Sequence, residues 1–208
     1  MNDLRIETAD HVTIEADWYP ASQPCCILAH GKAYEKGAWQ DLAGHLQDWG
    51  WSSIAVNFRG YGASERGDGT SFDQDLVAAI NYASARQAKP LVLLGASMGG
   101  AVVLKALATS ETSIDAAVLL SPAGGAEYMA AVAGKISSLQ LLFSRNEEYA
   151  AIARDIALRS PCLTWLRQWP GILHAHRLLD DPHTGSAVRE CIHSYLDFCR
   201  QSLNSEEM

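Results

Sequence analysis

Apolar and polar residues alternate over positions 4–19, with Leu4 and Ile6 before the polar pair Asp10-His11 and Val12, Ile14, Ala16 and Trp18 after it. A period of two, broken at its centre, predicts an antiparallel hairpin at a sheet edge. From position 25 onward the pattern changes. Short unbroken apolar runs read as buried strands: "CCILAH" (25–30), "SSIAVNF" (52–58), "LVLLGAS" (91–97), "DAAVLLSPAG" (115–124), "LQLLFS" (139–144) and "CLTWLRQWPG" (162–171). Between them lie segments of helical character. Positions 38–50 carry Trp39, Leu42, Leu46 and Trp49 at helical spacing and stop at Gly50. Positions 71–87 open on Ser71 as an N-cap, with acids in the first turn. Positions 99–110, 147–160 and 186–203 complete the helical set.

Buried strands alternating with helices predict an α/β fold: a mostly parallel central sheet with helices on both faces, preceded by the antiparallel hairpin. The 208 residues suit a single domain over 1–208, and the 48% hydrophobic content supports a sizeable core. The net charge is −8 and no Lys/Arg cluster occurs, so a nucleic-acid partner is not expected. "MNDLRIETAD" lacks an apolar stretch of the secretory kind, and no window approaches about 18 uninterrupted apolar residues. A cytoplasmic protein with no membrane span is the expectation. The five cysteines form neither a zinc ligand set nor a disulfide framework, although Cys191 and Cys199 lie two helical turns apart. They read as reduced thiols, and no metal is expected.

In a parallel sheet, ligands bind beyond the carboxyl ends of the strands. The residues there are therefore the informative ones. "LVLLGASMGG" ends a strand with Gly95-x-Ser97-x-Gly99. Small residues at such a place allow a tight turn and close helix packing whatever the function. The same spacing also presents a serine on a sharp strand-to-helix turn. His30-Gly31 follows the first buried strand, and "NFRGYGASE" the second. Glu147 and Glu148 follow the penultimate strand, and His174 and His176 the last. Serine, acid and histidine thus occur in the chain order of one hydrolase architecture.

With "HG" at 30–31, "RGYGAS" at 59–64, "GASMGG" at 95–100, "SRNEEY" at 144–149 and "PGILHAHRLL" at 170–179, the chain resembles the α/β-hydrolase superfamily over nearly its whole length. It is most similar to small, lidless esterase-like and dienelactone-hydrolase-like members. The resemblance implies Ser97 as nucleophile, His174 as base and Glu147 as the acid that orients it. It implies an oxyanion hole from the Met98 N–H and from the loop at Lys32 or Ala33. His30 is implied as structural. Two positions stay open. The family places Gly and Asp where this chain has Ser144 and Glu147, so Glu148 competes for the acid. His174 follows "PG-x-x" and is preferred to His176. The insert "GAEYMAAVAGKISS" is too short for a cap, so an open site is expected, lined by Tyr34, Tyr128 and Met129, with Tyr61 and Met98 nearby. The implied activity is hydrolysis of a small carboxylic ester or thioester without a cofactor. A peptidase or lactonase on the same residues, or a non-catalytic binding protein of this fold, are the alternatives. Oligomeric state is left open by the sequence.

Overall fold

The computed structural model describes residues 2–206. Strands β1 (Asn2–Glu7) and β2 (Thr13–Tyr19) form the expected hairpin, with Ile6 opposite Ile14. Strands β3 (Cys25–Ala29), β4 (Ser52–Val56), β5 (Leu91–Ala96), β6 (Ala116–Leu120), β7 (Ser138–Ser144) and β8 (Leu163–Trp169) follow. They join one eight-stranded sheet in the order β1-β2-β4-β3-β5-β6-β7-β8. The β1–β2 and β2–β4 pairings are antiparallel, and every later pairing is parallel. Every residue of β3, β4, β5, β6 and β7 is buried, as expected for strands covered on both faces.

Helices α1 (Gln40–Asp48), α2 (Phe72–Ser84), α3 (Met98–Thr109), α4 (Met129–Val132), α5 (Ala150–Arg159), α6 (His176–Asp180) and α7 (Gly185–Glu206) supply the covers. Two apolar clusters result, one on each face. The first joins Ile14, Ile27, Val56, Leu76, Leu104 and Phe143. The second joins Leu28, Trp39, Leu46, Leu94, Ile192 and Tyr195. No described helix is long and apolar enough to cross a membrane.

Local departures from the sequence reading have physical causes. Ser71 precedes α2, but its hydroxyl donates to Asp68 Oδ2 at 2.5 Å and does not cap the helix. The segment 147–149 is a turn, and α5 begins only at Ala150. The insert between β6 and β7 forms a single 3₁₀ turn, Ala126–Tyr128, and the one-turn α4. Among the described residues no cap domain covers the carboxyl ends of the strands.

The loop after β4 is held by a buried cation. The Arg59 guanidinium is fully buried, as is the Asp75 carboxylate of α2. Arg59 donates from its backbone N–H to Asp75 Oδ2 at 2.7 Å and from Nε to Asp75 Oδ1 at 2.9 Å. Its Nη1 reaches Asp10 in the hairpin turn at 2.7 Å and Asp68 at 3.0 Å. One side chain thereby ties hairpin, loop and helix together. The Arg59 hydrogen bond holds the Asp10 carboxyl down to about 2. Burial pushes Asp75 the other way, against the pull of Arg59. Asp10 is depressed in the folded state. Its stabilising contribution is therefore present above the ordinary carboxylate value of 3.8 and is lost as pH falls toward about 2. Arg59→Met leaves Asp75 buried without its cation. It is expected to lower stability by about 3–5 kcal/mol in urea unfolding at neutral pH. Adding Asp75→Asn is expected to recover part of that loss.

Candidate active site

Ser97 sits between β5 and α3 with φ 53° and ψ −115°. A non-glycine residue adopts that region only under strain, at a cost of about 1–3 kcal/mol. Hydrogen bonds hold it there. Its N–H donates to Leu120 O at 2.9 Å, and its carbonyl accepts from Gly100 at 3.0 Å and Ala123 at 3.1 Å. The flanking glycines are steric requirements. A Cβ on Gly95 would lie 2.4 Å from Gly99 O, and one on Gly99 would lie 2.1 Å from Ala29 O. The helix can pack this close to the sheet only where those side chains are missing.

The Ser97 hydroxyl donates to His174 Nε2 at 2.8 Å. His174 Nδ1 in turn donates to Glu147 Oε2. A carboxylate only accepts, so Nδ1 carries the proton and Nε2 keeps its lone pair for the serine. Ser97, Glu147 and His174 follow β5, β7 and β8 respectively, so the parallel sheet brings three distant segments together. Glu147 is buried, whereas Glu148 is exposed on the same turn. The loop carrying His174 is itself fixed. Arg145 N–H donates to Trp169 O at 2.8 Å and Asn146 N–H to Gly171 O at 3.1 Å. Ala175, next to His174, has φ 50° and ψ −120°, the same strained region as Ser97. Tyr149 sets its ring 5.2 Å from the His174 ring.

The other histidines near the site have different surroundings. His30 is fully buried, donating from Nδ1 to Gly31 O at 2.9 Å while Nε2 accepts the Phe58 N–H at 3.3 Å. Burial pushes its pKa down to about 4, so the ring is neutral. His176 is buried between Tyr34 and Trp39, with ring centroids 4.4 and 4.3 Å away. Burial also lowers it to about 4, and neither ring nitrogen has a hydrogen-bond partner among the described residues. Of the two histidines weighed from sequence, only His174 lies within hydrogen-bond reach of Ser97.

The loop after β3 faces the start of α3. Gly31 comes closest, since a Cβ there would lie 3.4 Å from Ser97 Cβ. The N–H groups of Lys32, Ala33 and Met98 have no acceptor among the described residues, so the loop donor stays open between Lys32 and Ala33. Tyr61, from the loop that Arg59 holds, donates its hydroxyl to Lys32 O at 3.2 Å and sets its ring 4.6 Å from His30. Its hydroxyl also lies 4.0 Å from Met98 Sδ. Asn57, at the end of β4, accepts the Lys36 N–H at 2.6 Å and donates to Glu15 at 2.9 Å. Tyr34 is half-buried beside Gly31. Tyr128 is half-buried against the α2–α3 side of the core. Met129, expected at the mouth, is 1% exposed and belongs to that core. The insert folds back as α4, so the Met129 side chain turns inward. Sequence reasoning missed Tyr149, Asn57 and the strain at Ala175. Asn57 had a signal, a polar residue ending an apolar strand. Tyr149 and Ala175 had none.

Comparison with known proteins agrees with this architecture. The chain matches the family model described as "Serine aminopeptidase, S33" over residues 20–161. No curated protein matches by sequence. Among solved structures, the Pyrococcus furiosus esterase Pf2001 is 17% identical with TM-score 0.78, covering 94% of this chain and 89% of that one. Est1E from Butyrivibrio proteoclasticus is 15% identical with TM-score 0.79, covering 97% and 100%. DcsB, solved with a substrate analogue, is 14% identical with TM-score 0.83, covering 96% and 99%. At such identities the likeness shows the fold. The family match covers well over half of the chain, and a parallel sheet with a serine at the sharp turn after β5 agrees with it: the protein belongs to the serine aminopeptidase S33 family of α/β-hydrolases.

Proposed function

We propose that the protein is a serine hydrolase that cleaves small carboxylic esters or thioesters through an acyl-enzyme. The observation that carries the reading is the continuous hydrogen-bond chain from Ser97 through His174 to Glu147. A serine hydroxyl is a weak nucleophile at neutral pH and needs a base within reach. His174 takes the Ser97 proton as the hydroxyl attacks the acyl carbon, then delivers it to the leaving alkoxide or thiolate. Glu147 keeps the ring in the tautomer that accepts at Nε2 and stabilises its positive form. Water repeats the sequence on the acyl-enzyme, with His174 again as base. The negative oxygen of each tetrahedral intermediate is received by the free N–H groups of Met98 and of Lys32 or Ala33, the first of these at the N-terminus of α3.

The open site favours short acyl groups, with Tyr34 as a wall. Beyond Tyr34 lies an open groove of about 780 Å³, lined in part by Glu35, Asp41 and Asp180. Those acids favour neutral or cationic leaving groups over anionic ones. Esterases among the structural neighbours, one of them solved with ferulic acid bound, support an ester substrate. The family description raises amide bonds at a free amino terminus as a second reading, so aminoacyl amides belong in the same substrate panel.

Three outcomes are expected. A fluorophosphonate adds one label to the wild type, read by intact mass, and none to Ser97→Ala; an unlabelled wild type removes the proposal. Glu147→Gln keeps the shape but offers the wrong hydrogen-bond partner to Nδ1. It is expected to lower kcat on p-nitrophenyl acetate on the order of 10⁴-fold, whereas Glu148→Gln leaves it unchanged. Tyr61→Phe removes only the hydroxyl that fixes the Lys32 carbonyl. It is expected to lower kcat about tenfold with KM unchanged, the equivalent of one hydrogen bond of about 1.4 kcal/mol in the transition state.

A further inference from the structure

The two ends of the sheet differ in kind. At one edge, β1 places Asp3, Arg5 and Glu7 along its length, all exposed. Charged residues on a free edge discourage another strand from pairing with it. At the other edge, β8 has the sequence LTWLRQW, with a single charge at Arg167. Two of the four large hydrophobic side chains exposed among the described residues lie on β8 itself, one on the preceding α5 and one in the loop that follows. They are Leu158 at 86%, Leu163 at 54%, Leu166 at 44% and Ile172 at 73%. β8 pairs with β7 on one side over seven residues, from Leu163 opposite Ser138 to Trp169 opposite Ser144. Its other side has no partner strand among the described residues. A seven-residue edge with one charge, no proline and two exposed leucines is a template for strand addition.

We propose that this edge is the surface through which two copies of the chain associate, by antiparallel pairing of β8 with β8 about a two-fold axis at Leu166. The register follows from the strand itself. A two-fold axis normal to the sheet requires opposed residues to share a face, so the axis must pass through a residue. Leu166 is the midpoint of Leu163–Trp169, and only that centre pairs all seven residues. An axis one residue later would oppose Arg167 to its own copy, which like charge disfavours. Centred on Leu166, the two leucines meet and Thr164 faces Gln168. Arg167 then faces Trp165 of the second copy on both sides of the axis, a pairing of cation with aromatic ring. The Trp165 ring is already held in place, 5.6 Å from Tyr195 and 5.2 Å from Phe198 of α7. A shallow groove of about 230 Å³ lies beside it, between β8 and α7, bordered by Leu166, Arg167 and Cys191. The result is one continuous sheet across both copies, with the charged β1 edges outermost. The carboxyl ends of the strands, where Ser97 lies, stay open.

Sedimentation equilibrium over the widest soluble concentration range tests this directly. The wild type is expected to show twice the 22.5 kDa chain mass. Leu166→Lys, which sets two ammonium groups against each other, is expected to return it to the single-chain mass. Its circular dichroism and fluorophosphonate labelling should not change. Register is tested by cysteines, in a background where the half-buried Cys162 and Cys191 are serine. Leu166→Cys puts paired Cβ atoms about 4.5–5.5 Å apart, so a short bismaleimide joins the copies. Leu163→Cys leaves its two copies about 20 Å apart along the strand, and they are not joined. A wild type that stays at single-chain mass overturns the proposal and leaves the edge to a different partner. A dimer that survives Leu166→Lys, or that joins through position 163 and not 166, overturns it equally.

Discussion

The structure depends on one backbone constraint: the strand β5 must end and α3 must begin within a single residue, Ser97. The positive φ of that residue is unfavourable on its own. It is tolerated because neighbouring strands and loops supply the hydrogen bonds that close the turn, from Leu120 on one side to Ala123 on the other. The close approach has a second consequence. The start of α3 lies against the carboxyl ends of β3 and β5, where Gly95 and Gly99 leave no room for a side chain. Met98, the first residue of α3, directly follows Ser97, and its N–H has no acceptor among the described residues. The position of Ser97 at the strand end and the close approach of α3 to the sheet come from the same bend.

Three of the five positive-φ non-glycine residues among the described residues, Ser97, Ser121 and Ala175, lie in the loops after β5, β6 and β8. Ser121, after β6, is buried with φ 49°, and its N–H is held by Leu142 O at 2.8 Å. Ala175 follows His174 in nearly the same conformation as Ser97. Ser97 and Ser121 each follow the end of a strand, and the N–H of each is held by a neighbouring strand; Ala175 follows His174. Such residues persist only when the rest of the fold over-determines them. The Arg59 cluster belongs to the same scaffold. It holds the loop bearing Tyr61, and Tyr61 holds the carbonyl of Lys32, so a buried ion cluster is linked to the loop after β3 through one hydroxyl.

Three histidines near the centre have one chemistry and three surroundings. His30 is closed off by two backbone hydrogen bonds, and His176 by aromatic rings. Burial leaves both neutral. His174 alone retains access to solvent and a carboxylate partner. The two glutamates divide in the same way. They are adjacent in sequence, and the turn that precedes α5 sends one inward and the other to solvent.

The sequence by itself determined the class of fold. Its long apolar runs can be buried only in a sheet covered on both faces, and their alternation with helical segments specifies parallel order. It also determined the elbow, because Gly95, Ser97 and Gly99 carry their steric reason in their own spacing. For partners distant in the chain, the motifs name candidates, and only tertiary structure brings them within reach of one another. Glu147 and Glu148 have the same side chain one position apart, and no local pattern distinguishes them. The position of His174 after "PG-x-x" favours it over His176, but only the packing, which buries His176 between Tyr34 and Trp39, shows what each ring touches. Met129 is expected at the mouth because its short insert follows the carboxyl end of a strand, but the insert folds inward and buries it. Tyr149 meets His174 only because β7 and β8 are neighbours. Such contacts depend on where strands end relative to one another. That is set by the register of the whole sheet, which no stretch of the sequence contains.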